Sequence, residues 1–82
     1  MGTVLRIGGW RIMIYTHDHR PAHVHAVSPD GRAKLLLNCP GGPLVAQEAR
    51  GIDAHTLRHL MLAVDEHLPT LCQAWRTQHG DF

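Results

Sequence analysis

His23-Val24-His25-Ala26-Val27-Ser28-Pro29-Asp30-Gly31-Arg32-Ala33-Lys34-Leu35-Leu36-Leu37-Asn38 reads as one hairpin, and the rest of the chain arranges itself around it. His23 to Ser28 alternates as a short strand, Ser28-Pro29-Asp30-Gly31 has the composition of a turn, and Arg32 to Asn38 resumes the strand. In the return strand Ala33, Leu35 and Leu37 share one face while Arg32, Lys34, Leu36 and Asn38 share the other. A one-residue slip would exchange those faces, so the pattern selects Ala33, Leu35 and Leu37 as core. Cys39-Pro40-Gly41-Gly42-Pro43 ends the strand, and Leu44 to Gln47 is read as a last short one.

Upstream lies a second hairpin. Thr3 to Ile7 and Trp10 to Thr16 are rich in β-branched, aromatic and large apolar residues, joined by Gly8-Gly9. A Gly-Gly loop supplies the positive φ that tight hairpin turns require. Trp10, Ile12 and Ile14 fall on the expected core face, and Arg11, Met13 and Tyr15 on the opposite one. Downstream the pattern changes period. Leu57, Met61, Val64, Leu68, Leu71 and Trp75 step by four and three, widened by Leu60 and Cys72, which is one helical stripe. Asp53 is placed as N-cap, Ile52 as a staple onto Leu57, and Gly80 as the terminator. Because the stripe keeps phase across Pro69, residues 53–79 are expected to form one long helix kinked near that proline.

These readings predict a single α+β domain over residues 1–82. An antiparallel sheet of four to five strands, two hairpins within residues 1–48, is packed in two layers on the C-terminal helix. Its other face would carry Arg11, Met13, Tyr15, Leu36 and Lys34, a surface suited to a partner or a homodimer.

Lys and Arg number eight against seven Asp and Glu, a formal net charge of +1 with histidines neutral. Protonating all eight histidines would take that from +1 to +9. Near-neutrality argues against a plainly basic nucleic-acid-binding domain. The charges are uneven, however, with Arg6, Arg11, Arg20, Arg32 and Lys34 early and most acids late. No apolar run approaches the roughly 18 residues that would span a bilayer. Met1 to Arg6 lacks a secretory pattern, and Arg6 stands where a Met1-Gly2 myristoylation motif needs Ser or Thr, so a cytoplasmic location is the expectation. In that compartment Cys39 and Cys72 are expected to be reduced thiols, one in a loop and one in the helix.

Four histidines fall in His17-Asp18-His19-Arg20-Pro21-Ala22-His23-Val24-His25. In an extended segment the members of each H-x-H pair project from one face, about 6.5–7 Å apart at Cα. Arg20-Pro21 separates the pairs with a turn. Three readings follow. His17, His19, His23 and His25, with Asp18, could ligate zinc or another divalent transition metal, which needs three or four N, O or S donors near 2 Å. Alternatively, His23 and His25 could act as acid and base with Lys34 neutralising a phosphate, as in metal-independent RNA cleavage needing no cofactor. In the third reading the segment only shapes a loop, with Asp18 capping a turn and the imidazoles bonding carbonyls, as in a structural or adaptor protein. On the helix, His55 and His59 are read as solvated polar-face residues.

The order of these features resembles a small bacterial family, the domain of unknown function 4160. Shared elements are Thr-Val-Leu-Arg-Ile followed by Gly-Gly, the segment Asp18-His19-Arg20-Pro21-Ala22-His23-Val24-His25, the strand Gly31-Arg32-Ala33-Lys34, and a terminal helix ending near Ala74-Trp75. The 39–43 loop and Pro69 depart from the family pattern. The resemblance implies a component of a two-gene, toxin–antitoxin-like module, with a cognate small protein as partner and RNA as a second candidate. It favours His19, His23, His25 and Lys34 over His17. The expected catalytic set is His23, His25 and Lys34, with His19, Arg20, Arg32 and Tyr15 as binding residues. An enzymatic role, if present, would be RNase-like acid–base catalysis or metal-dependent hydrolysis.

Overall fold

A computed structural model describes residues 3–82; the Met1-Gly2 motif lies outside the described residues. Strands β1 (Thr3–Ile7), β2 (Trp10–Met13), β3 (His23–Val27), β4 (Arg32–Leu36) and β5 (Val45–Arg50) precede helices α1 (Ala54–Asp65) and α2 (Leu68–His79). Each strand pairs antiparallel with the next, giving one five-stranded sheet in the order β1-β2-β3-β4-β5. Both expected hairpins form, and Gly8 takes the positive φ of 55° in the first turn. The fifth strand runs to Arg50, beyond the sequence boundary at residue 48. It stops where Gly51, at φ 72°, lies so close to the Asp30 carbonyl that any Cβ would collide with it.

Alternation divides the sheet as expected. Ile12, Val24, Ala26, Ala33 and Leu35 are buried on one face, joined by Ile14 and Leu37 just beyond the strand ends. Leu60, Val64, Leu68, Leu71, Cys72 and Trp75 from the helices complete that cluster. Trp10 is only partly buried, at the cluster's margin. Burying such side chains contributes roughly 1.5–3 kcal/mol each before chain entropy is counted.

The single kinked helix is corrected to two. The chain leaves helix at Glu66 and His67 and re-enters it at Leu68, which puts Pro69 in the first turn of α2. In a continuous helix Pro69 would remove a backbone hydrogen bond and clash with the carbonyl four residues earlier. At a helix start the missing N–H has no intrahelical partner to lose. Asp53 caps α1, its Oδ1 accepting the Thr56 N–H at 2.7 Å, and Gly80 ends α2.

The cysteines are also corrected. Cys39 and Cys72 form a disulfide with Cα atoms 5.8 Å apart, tying the β4–β5 loop to α2 across 33 residues. Disulfides are uncommon in most cytosolic proteins, so the bond removes the support that reduced thiols would have given a cytoplasmic location. Among the described residues no helix is long and apolar enough to cross a membrane.

Candidate functional site

The connection 14–22 carries the chain from β2 to β3 and folds back on itself. Tyr15 donates its N–H to Asp18 Oδ2 at 2.8 Å, and Asp18 returns its own N–H to the Tyr15 carbonyl at 3.1 Å. This reciprocal turn aims the second carboxylate oxygen at β3. Asp18 Oδ1 lies 3.1 Å from His25 Nε2 and 3.3 Å from His23 Nε2. The two imidazoles stand nearly perpendicular, their centroids 5.0 Å apart.

Each ring is fixed from behind. His23, only 4% exposed, holds the Pro21 carbonyl through Nδ1 at 2.8 Å and lies against the Trp75 indole at 5.2 Å. Trp75 is itself anchored, its indole N–H donating to the Asp81 carbonyl at 2.7 Å. The Tyr15 ring covers His25 at 4.6 Å and remains 40% exposed. His79 lies against Trp75 and meets the Tyr15 carbonyl, so α2 braces the connection from below.

Burial alone would raise the Asp18 carboxyl. The Tyr15 amide, the His25 hydrogen bond and the nearby charges of His25 and His23 outweigh it and hold the group below its ordinary value. Asp18 is therefore ionised at neutral pH and can only accept. A carbonyl can only accept too, so His23 must carry a proton on Nδ1. In neutral His23 the Nε2 lone pair then faces the Asp18 carboxylate. His25 can donate its Nε2–H to the same oxygen; His23 cannot. A second proton on His23 or a cation between the three groups would turn that approach into an attraction.

Donor atoms of Asp18, His23 and His25 lie within 4.8 Å of one another. A tetrahedral zinc ion with ligands near 2.0–2.1 Å spaces them about 3.3–3.5 Å apart, close to the two distances from Asp18 Oδ1. A histidine whose far nitrogen bonds a backbone carbonyl is the usual supporting arrangement for a metal ligand.

The other sequence-predicted residues divide around this centre. Lys34 sits directly across from His25 in the β3–β4 register and lines the same groove of about 270 Å³. His17, His19 and Arg20 line that groove as exposed residues outside the three-residue donor cluster. Arg32 and Tyr15 line an adjoining groove of about 320 Å³, which shares His25 and Lys34 with the first. Asp18, absent from the expected catalytic set and only an auxiliary to the four histidines, is the residue on which the cluster converges. Its signal was available as the spacing Asp-x4-His-x-His. His55 and His59 stack on each other at 4.4 Å as exposed residues on α1.

The fold and cluster together define a two-layer α+β domain with a carboxylate and two imidazoles gathered on the open side of its sheet. Residues 9–76 match the family described as Domain of unknown function (DUF4160), and the chain belongs to that family. No curated protein and no solved structure matches it.

Proposed function

We propose that this chain is a divalent-metal-binding module in which Asp18, His23 and His25 ligate one transition-metal ion of the zinc class. The observation that supports it is the shared Asp18 Oδ1, approached by two Nε2 atoms at 3.1 and 3.3 Å while the far nitrogen of His23 is held by the Pro21 carbonyl. Three protein donors leave a coordination position for water or substrate, as in catalytic rather than structural zinc sites. Lys34 beside that position would favour an anionic ligand. Acid–base catalysis by the two histidines is less well supported. His23 Nδ1 is held by the Pro21 carbonyl with Nε2 turned 3.3 Å from Asp18, and His25 directs Nε2 at the same carboxylate. Elemental analysis of protein purified without an affinity tag tests the reading. About one zinc, nickel or copper per chain is expected, lost in His23→Ala; metal-free protein from a metal-supplemented culture contradicts it.

A second reading keeps the toxin–antitoxin-like module, with a cognate small protein as partner. It draws support from the family resemblance and from an apolar groove of about 500 Å³ lined by Pro43, Leu44, Leu57, Met61 and Leu62, the last 61% exposed. Co-expression tests it: growth arrest by this chain, relieved by a neighbouring gene product, is expected. No arrest in either arrangement contradicts the toxin role.

A further inference from the structure

The strand register assembles a line of charge that the sequence disperses. Arg6 pairs with Arg11, Arg11 with Val27, Val27 with Arg32, and Arg32 with Arg50. Directly opposed residues point to the same side of a sheet. Four arginines therefore cross all five strands in one row on the open face, interrupted only by Val27. At about 4.8 Å per strand the row is about 19 Å long. All four are exposed, and among the described residues none lies within ion-pair distance of a carboxylate.

Such a row is costly for folding alone. Like charges directly opposite on neighbouring strands destabilise a sheet, and Arg6–Arg11 and Arg32–Arg50 are both of that kind. The row also leads to the site. A groove lined by Arg6, Arg11 and Val27 adjoins one lined by Val27, Arg32, Arg50, His25 and Lys34, and the latter shares His25 and Lys34 with the Asp18 groove. The exposed Tyr15 ring stands where that path reaches the cluster.

We infer that the open sheet face binds single-stranded nucleic acid. Its phosphodiester backbone lies along Arg6, Arg11, Arg32 and Arg50, and a base stacks on Tyr15 as the chain passes the Asp18–His23–His25 cluster. A spaced row of cations next to an exposed ring suits a flexible strand with splayed bases. Among the described residues no helix or ribbon projects from this face to enter the groove of a duplex. Arg32 and Arg50 present bidentate forks to phosphate oxygens, which a lysine could not. As the substrate class of the cluster this polymer rests on the metal reading; its binding to the arginine row does not.

Fluorescence anisotropy with labelled 12-nucleotide single-stranded RNA, DNA of the same sequence, and the DNA duplex tests the inference, with EDTA in every sample. Absence of metal binding then leaves these data unaffected. Wild-type protein is expected to bind a single strand with Kd on the order of 10 µM in moderate salt. Three to four phosphate contacts give a log Kd–log salt slope of roughly 2 to 3 in magnitude. The RNA and DNA arms show which sugar the face takes. Arg32→Thr/Arg50→Thr should weaken binding on the order of tenfold and flatten the slope by about 1.4. Its thermal stability should be unchanged or higher, because an opposed like-charge pair is gone. A purely structural role for the row predicts lower stability with unaltered binding. Undetectable binding at low salt, affinity unchanged in the double variant, or tighter binding to the duplex than to either single strand overturns the inference.

Discussion

The two faces of the sheet are built from the same five strands, yet they are governed by different forces. On one face Ile12, Val24, Ala26, Ala33 and Leu35 are enclosed by α1 and α2. One residue away in each strand, Arg11, His25, Arg32 and Lys34 lie on the open face. The enclosed face contributes stability through buried area. The open face gathers exposed arginines beside two imidazoles and a carboxylate. Within the strands alternation separates the two, so substituting an exposed strand residue of the open face should spare stability.

The largest expected effect lies where the faces meet. Trp75→Ala empties a fully buried site and removes the wall behind His23, so a loss of about 3–5 kcal/mol is expected in urea unfolding, enough to unfold a domain of this size. Stability within 1 kcal/mol of wild type would break the picture of Trp75 as shared support. Next comes the disulfide. Cys72→Ser opens a link across 33 residues and should cost about 3–4 kcal/mol on loop-closure grounds, with urea midpoints of wild type plus reductant approaching those of the variant. Insensitivity of the wild-type midpoint to reductant would show that the sheet and helices do not depend on this link.

On the open side, Asp18→Asn should cost about 1.5–3 kcal/mol near neutral pH, because it weakens charge-assisted bonds to Tyr15 and His25. The sign of its pH dependence follows from the lowered carboxyl. The folded state binds this proton less readily than the unfolded chain, so the ionised group stabilises the fold above the ordinary carboxylate range. That contribution fades as pH falls through the lowered folded value. Wild type and Asp18→Asn should thus converge as pH falls below about 4, where the carboxyl begins to take up its proton. A gap that widens below about pH 4 would reverse the assignment. The smallest effect belongs to Arg11→Thr, exposed on the open face, whose thermal midpoint should correspond to a change within about 0.5 kcal/mol. A large loss there would mean that the two faces are not separable by parity.

Much of the fold was legible because it is written in local periods. Period-2 alternation in 10–14 and 32–38 gave the core face, and Asp53 and Gly80 marked the helical ends. The break at Glu66–His67 was not, because two non-helical residues left the apolar stripe in phase on either side of Pro69. The disulfide has no local pattern at all: its cysteines meet only when α2 lies under the β4–β5 loop. Within the candidate site, the H-x-H pair of β3 and its neighbour Lys34 could be read from strand parity and hairpin pairing. Asp18 was marked only by its spacing to the pair, and its central place depends on the reciprocal turn with Tyr15 in the irregular connection. Nor could the arginine row, whose members come from four strands and align only through register.

Nitrogen-detected NMR of the histidine rings tests most directly whether Asp18, His23 and His25 form one metal centre. Addition of one equivalent of Zn²⁺ should move the Nε2 resonances of His23 and His25 together while the Nδ1–H of His23 stays protonated on the Pro21 carbonyl. His17, His19, His55 and His59 should remain unmoved at that stoichiometry. Zinc that shifts those exposed rings and leaves His23 and His25 unchanged would contradict the account.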